Sequence, residues 1–307
     1  MFAEIKIRPK NLMRNLLAAY ALLLTTPVVA VEVTTQYEGK TLNGNLEIAG
    51  GKDLADGAIL IFHAMMQHRE SEIILGLQNG FIEAGRNSLA VNLSMGVDNR
   101  HGSFECSEPH RYLFDDAFGE GLAWLEWLNQ QGAGPVAILG HSLGANQALG
   151  LVVDHPESQV AALILLSPMT TGHEKLLSAY EKRWRLDFDP IFDAAKSHID
   201  RGNGDQLMRV DFLFCPKAQV AARTFVSFYG GQPLRYDPSG YLHKLQTPTQ
   251  IIIGSADERQ PNVSTFLKPF VDDDKIFMYT IESGGHFFRD LNLEEAVEVA
   301  VEFLDGQ

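Results

Sequence analysis

One serine stands out as a candidate for chemistry. Ser142 sits in Gly140-His141-Ser142-Leu143-Gly144, with a short apolar run ahead of it from Pro135 and a helically periodic stretch behind it to His155. G-x-S-x-G between a strand and a helix makes a nucleophile elbow. The turn is so tight that side chains in place of the two glycines would strike the strand or the helix. The serine is forced into a strained backbone conformation that lifts its hydroxyl clear of the sheet edge. The helix opening near Leu143 aims unpaired amide N–H groups and a partial positive charge at the same spot. A serine hydroxyl is a weak nucleophile alone, so a base must take its proton and an acid must orient that base.

The elements around the serine have to deliver those partners. Residues 31–50 alternate and read as an antiparallel hairpin with a turn at Asn43-Gly44. The run 57–64 is continuously apolar, 70–85 has helical spacing ending at Gly85, and 87–96 reads as a second strand. A polar loop, a helix near 115–132, the strand and helix flanking Ser142, and the apolar run 160–168 follow. Strands that alternate with helices and are apolar throughout predict an α/β fold, a mostly parallel central sheet with helices on both faces. The rhythm breaks over 171–232, which is amphipathic, aromatic and helical in pattern. It resumes with 249–258, a helix near 263–271, the run 275–283 and a closing helix. An insertion of that size predicts a helical cap over the carboxyl edge of the sheet, a place where long connections carry function.

With strand, elbow and helix in this order, the chain resembles the α/β-hydrolase superfamily over nearly all of residues 31–307. The resemblance implies the partners of Ser142. The family order is nucleophile, acid, histidine. Asp257 ends the run "TQIIIGSAD" and matches the acid. His286 follows the last strand in "IESGGHFF" and matches the base. His286 would accept the Ser142 proton, and Asp257 would fix its tautomer and stabilise its charged form. The oxyanion would be held by the backbone N–H of Leu143 and by that of Met65, in the loop after "AILIF". His63 would support that loop, and Ala64 stands where the family often has glycine. Acyl transfer by such a set implies no cofactor and no metal. The implied activity is a serine hydrolase, with carboxylic ester hydrolysis through an acyl-enzyme on Ser142. An amidase or peptidase, a thioesterase, or a non-catalytic exported binding protein are the alternatives.

Composition bounds the partners. The net charge of −14 argues against nucleic acid, whose phosphates need clustered Lys and Arg. A small-molecule substrate with an ester or related acyl group is the expected partner. Lys6, Arg8, Lys10 and Arg14 precede a short apolar run ending at Val28-Val29-Ala30, the layout of a signal peptide over residues 1–30. Thr25, Thr26 and Pro27 leave that run short of a membrane span, so the expected product is exported, periplasmic or secreted, with no stable span after cleavage. The two cysteines, Cys106 and Cys215, would either form one disulfide closing a long loop, the reading export favours, or stand as separate buried thiols. His68, His101 and His110 lie on loops without a ligand spacing for a metal. Asp272-Asp273-Asp274 lacks the alternation of a calcium loop. Arg111 is placed at the mouth of the pocket.

Overall fold

A computed structural model describes residues 30–231, 233–272 and 274–307. The expected signal peptide, residues 1–30, lies outside the described residues but for Ala30. No described helix is long and apolar enough to cross a membrane.

The chain opens with β1 (Val31–Tyr37) and β2 (Lys40–Glu47), paired antiparallel. Their turn is Glu38-Gly39, not Asn43-Gly44 as the sequence suggested. Both turn residues have positive φ, 46° and 74°, which suits a tight two-residue hairpin. Asn43 instead sits inside β2, where its buried side-chain amide donates to Asn99 Oδ1 at 2.9 Å and to the Arg100 carbonyl at 2.8 Å. A residue used that way is unavailable for a turn.

Next come β3 (Ala58–Phe62), α1 (Glu72–Glu83), β4 (Ser88–Val91), α2 (Asp116–Gln130), β5 (Val136–His141), α3 (Leu143–Asp154) and β6 (Ala162–Leu166). The segment after β6 holds α4 (His173–Trp184), α5 (Asp189–Asp200), β7 (Leu207–Phe212), β8 (Cys215–Ala221), α6 (Ala222–Tyr229) and α7 (Ser239–Leu242). The sheet is completed by β9 (Thr249–Gly254), then α8 (Val263–Leu267), β10 (Ile276–Ile281) and α9 (Leu291–Asp305).

Eight strands form one sheet in the order β1-β2-β4-β3-β5-β6-β9-β10. The pairs from β4 to β10 are parallel, and the first hairpin adds on antiparallel at one edge. The parallel strands are buried along most of their length because both faces are covered. On one face, α1 and α9 pack with Ile59, Ile61, Phe81, Ile164 and Phe303 in a common core. On the other, α2 and α3 pack with Leu60, Phe62, Trp124, Ile138 and Leu163. The chain runs outward from β3 to β4 and then crosses back to β5 on the other side of β3. Connections therefore diverge at the carboxyl ends of β3 and β5, where open α/β sheets leave a crevice for ligands.

Residues 171–232 depart from the expected all-helical insertion. Between α5 and α6 they form a separate two-stranded antiparallel sheet, β7 with β8, turned at Leu213-Phe214. Leu213 takes the positive φ of 53° that this turn requires. His110 pairs with Val220 as a one-residue extension, with the His110 N–H donating to the Gln219 carbonyl at 2.8 Å. Cys106 and Cys215 are joined in a disulfide with Cα atoms 5.2 Å apart, fastening the loop after β4 to the inserted hairpin. Arg111, placed by the sequence at a pocket mouth, donates to the Asp205 carbonyl at 3.2 Å.

Candidate active site

The end of β5 sets the geometry. Ser142 has φ 55° and ψ −120°, and its N–H donates to the Leu166 carbonyl at 2.9 Å. A Cβ on Gly140 would stand 2.3 Å from the Gly144 carbonyl oxygen, and one on Gly144 would stand 2.5 Å from the His63 carbonyl oxygen. Both contacts are with backbone, which has no way to yield. The glycines of the elbow are therefore required by close approach rather than by unusual φ.

Three distant segments converge on the hydroxyl. His286 Nε2 lies 2.9 Å from Ser142 Oγ, and His286 Nδ1 lies 2.8 Å from Asp257 Oδ2. Asp257 stands three residues past β9 and His286 five past β10, so neighbouring parallel strands deliver them to one rim. All three side chains are buried. The other oxygen of Asp257 accepts the backbone N–H groups of Arg259 and Gln260, each at 2.9 Å. Burial alone would raise this carboxyl; the hydrogen bond and charge of His286 and the two amides outweigh it and hold Asp257 below its ordinary value. The Gln260 side chain also accepts from the Thr170 N–H at 3.1 Å, which ties the acid's loop to the segment after β6.

Two histidines serve this row from the side. His63 is wholly buried, and its Nε2 accepts the Leu93 N–H at 3.1 Å and an Arg100 N–H at 2.9 Å. Its proton therefore resides on Nδ1, which donates to the Ala64 carbonyl at 2.8 Å. Burial, and then the Arg100 charge, push it down to about 3, so it stays neutral. This bonding links the loop after β3 to the loop after β4. Positive φ falls at Met66, 59°, and not at Ala64, so alanine is accommodated without strain. The backbone N–H groups of Met65 and Leu143 have no acceptor among the described residues.

His141, the variable position of the elbow, received no role from the sequence. Its Nε2–H donates to the backbone carbonyl of His286 at 2.9 Å, and burial keeps it neutral with a value of about 3. It holds the segment that carries the His286 ring. The one available signal was its place beside Ser142, where any side chain must point under the rim.

A cavity of ≈ 30 Å³ is bounded by Met65, Leu143, Met95, Tyr112, Phe228 and Glu120, with none of Ser142, Asp257 and His286 in its wall. Glu120 is buried on α2, with one oxygen accepting the Ser94 N–H at 2.6 Å and the other bonded to the Ser94 hydroxyl. The remaining sequence candidates stay apart. His101 pairs with Glu32, and His110 packs against the rings of Phe104 and Phe212. Among the described residues, no three His, Cys, Asp or Glu side chains are placed to hold a metal ion. Asp272 accepts the Asp274 N–H at 3.0 Å and the Ile276 N–H at 3.1 Å, a local turn; Asp273 lies outside the described residues.

The sequence profile of the alpha/beta hydrolase family matches residues 81–302, well over half of the 307-residue chain. The chain belongs to the alpha/beta hydrolase family. No curated protein sequence matches this α/β-hydrolase significantly. Solved structures resemble it closely in fold. Est1E from Butyrivibrio proteoclasticus with ferulic acid bound is 20% identical, with a TM-score of 0.63 over 90% of this chain and 98% of the other. An esterase from Pyrococcus furiosus is 16% identical, with a TM-score of 0.59 over 91% of each chain. A dienelactone hydrolase from Anabaena variabilis is 16% identical, with a TM-score of 0.55 over 91% of this chain and 98% of the other.

Proposed function

We propose that this α/β-hydrolase is a serine hydrolase that cleaves carboxylic esters of modest size. The observation that carries the reading is the 2.9 Å approach of His286 Nε2 to the hydroxyl of Ser142, a serine on a strained elbow. In this mechanism His286 takes the proton as Ser142 Oγ bonds to the ester carbonyl carbon. The resulting oxyanion is received by the amides of Leu143 and Met65. Asp257, acceptor of two backbone N–H groups, keeps the His286 proton on Nδ1 and balances the imidazolium. His286 then gives its proton to the leaving alkoxide oxygen as the carbon–oxygen bond breaks. A water enters, loses a proton to His286, attacks the acyl-enzyme, and the acid leaves as the proton returns to Ser142. The presence of solved esterases of the same fold agrees with this choice of substrate class.

A fluorophosphonate probe gives the test. Covalent labelling that vanishes in Ser142→Ala, with ester turnover falling by roughly 10⁶, is the expected result. Folded protein that takes no label would instead indicate a binding protein. Labelled protein that turns over only amides or thioesters would move the substrate class and leave the mechanism.

We also infer that the protein is exported. The basic then apolar start of the sequence and the Cys106–Cys215 bridge both support this reading. Fractionation and N-terminal sequencing are expected to find protein beginning at Val31 outside the cytoplasm.

A further inference from the structure

Resting on the proposed acyl transfer, we infer that Arg100 is a positioning residue of the oxyanion hole, acting on the Met65 N–H through His63 and the Ala64–Met65 peptide. The bonds run in one direction throughout. An Arg100 Nη2–H donates to His63 Nε2 at 2.9 Å. A guanidinium has no acceptor, so that ring nitrogen must be the bare one. The ring proton then sits on Nδ1, which donates to the Ala64 carbonyl at 2.8 Å. This carbonyl belongs to the same peptide unit as the Met65 N–H. A hydrogen bond accepted at a peptide oxygen draws electron density from the nitrogen and strengthens its N–H as a donor. The positive charge of Arg100 is thereby felt where the oxyanion forms, at the end of a chain of bonds already in place before the reaction.

The partners of Arg100 point to a charge held for the reaction. Its side chain is buried. Nε donates to the Leu93 carbonyl at 2.8 Å, Nη1 to the Gly102 carbonyl, and Nη2 to His63. All three acceptors are neutral, and among the described residues no carboxylate bonds to it. Glu120, the carboxyl whose charge acts on it most, is committed to Ser94. Burial pushes the guanidinium down to about 10, which leaves it charged at neutral pH. A buried cation with no anion is destabilising, and an apolar residue would avoid that cost. The missing anion is one that exists only during turnover. An interaction gained by the oxyanion and not by the neutral ester carbonyl speeds the chemical step instead of tightening binding. The parts are also held rigidly. The Leu93 N–H donates to His63 Nε2 at 3.1 Å, and the Arg100 carbonyl accepts from the Asn43 and Asn92 amides at 2.8 and 3.0 Å.

The full chain, first confirmed to label at Ser142, is compared with Arg100→Gln and Arg100→Lys on p-nitrophenyl acetate and against a boronic acid, which forms a tetrahedral anion on a reactive serine. Removing an oxyanion donor outright lowers kcat by about 10²–10³. Arg100 acts on such a donor at one remove. Arg100→Gln is therefore expected to lower kcat by about 10–100-fold, to leave KM within about threefold, and to weaken the boronic acid in step with kcat. Arg100→Lys keeps the charge but cannot make all three bonds. It is expected to lose as much from the urea midpoint as Arg100→Gln and yet to recover most of the kcat. Wild-type kcat in Arg100→Gln overturns the inference and spares the serine mechanism. So do equal losses of kcat in both variants, which would reduce the guanidinium to a brace between loops. The unaltered protein decides the matter if the variants do not fold. Long-range proton–nitrogen NMR spectra are expected to show His63 protonated on Nδ1 and bare at Nε2 from pH 5 to 8, and a proton on Nε2 overturns the inference. Wild-type protein that neither labels nor hydrolyses esters takes down the serine mechanism itself, and this inference with it.

Discussion

The Ser142–His286–Asp257 row and the wall built from the loop after β4 and the inserted segment are held by different forces. In the row every polar atom is aimed by a directional bond. Two amides fix Asp257, the His141 ring fixes the His286 carbonyl, and Leu166 anchors the strained Ser142. In the wall, the loop after β4 and the inserted segment are held by rings. Phe188, Phe212, Phe225 and Tyr229 pack with centroids 4.9–6.2 Å apart, and one covalent bridge crosses between the two segments. Ring packing has many near-equivalent solutions, whereas a hydrogen-bonded row has one. The wall is therefore free to vary while the row keeps its geometry.

Asp257→Asn breaks the row most cleanly without deleting a side chain. The amide no longer balances an imidazolium and favours the wrong histidine tautomer. With the fold intact, kcat on a short ester is expected to drop by roughly 10⁴, read from initial rates beside an unchanged urea midpoint. A loss within tenfold would mean that the acid is not needed to orient His286.

The complementary cut is in the wall. Replacing both Cys106 and Cys215 with serine releases a crosslink between residues 109 apart in sequence. A loss of about 2–5 kcal/mol is expected, measured by urea unfolding of oxidised protein and of the double variant. The comparison predicts that kcat on p-nitrophenyl acetate falls far less than in Asp257→Asn, because no directional bond of the row passes through the bridge. A kcat loss of similar size would show that the row depends on the wall.

Legibility in the sequence follows the same division. The elbow could be read because steric necessity limits what can stand at Gly140 and Gly144. Asp257 and His286 are what the resemblance to the α/β-hydrolase order implies, applied at the carboxyl ends of strands whose apolar runs are visible in the sequence. The β7–β8 hairpin was hidden for another reason: Met208-Arg209-Val210-Asp211-Phe212 and Lys217-Ala218-Gln219-Val220 each alternate, but the runs are short, sit between helical stretches, and are joined at Leu213-Phe214 rather than at a turn-forming pair. The first hairpin was recognised but its turn misplaced, because Asn43-Gly44 carries a stronger local turn signal than Glu38-Gly39 while tertiary hydrogen bonds recruit Asn43. His141 was overlooked because its role is a bond to a carbonyl 145 residues away.

Two buried carboxyls give the finest test of the comparison. Asp257 in the row is held below its ordinary value, against the effect of burial, by His286 and two amides. Glu120 in the wall is pushed up to about 7, because burial outweighs its bonds to Ser94 and the pull of Arg100, and Asp116 adds repulsion. A carboxyl raised in the folded state contributes stability that is fully present below its unfolded value near 4.5 and is lost as pH rises through about 7. Glu120→Gln keeps a group of the same shape that does not titrate. Relative to the wild type, it is therefore expected to gain stability as pH rises from 5 to 8, by less than the crosslink contributes. Urea midpoints of both proteins at pH 5, 6.5 and 8 measure this, and taking the difference cancels the titration of the buried histidines. A difference that stays constant across the range would mean that Glu120 is already ionised at pH 5 and that its cavity has a charged wall.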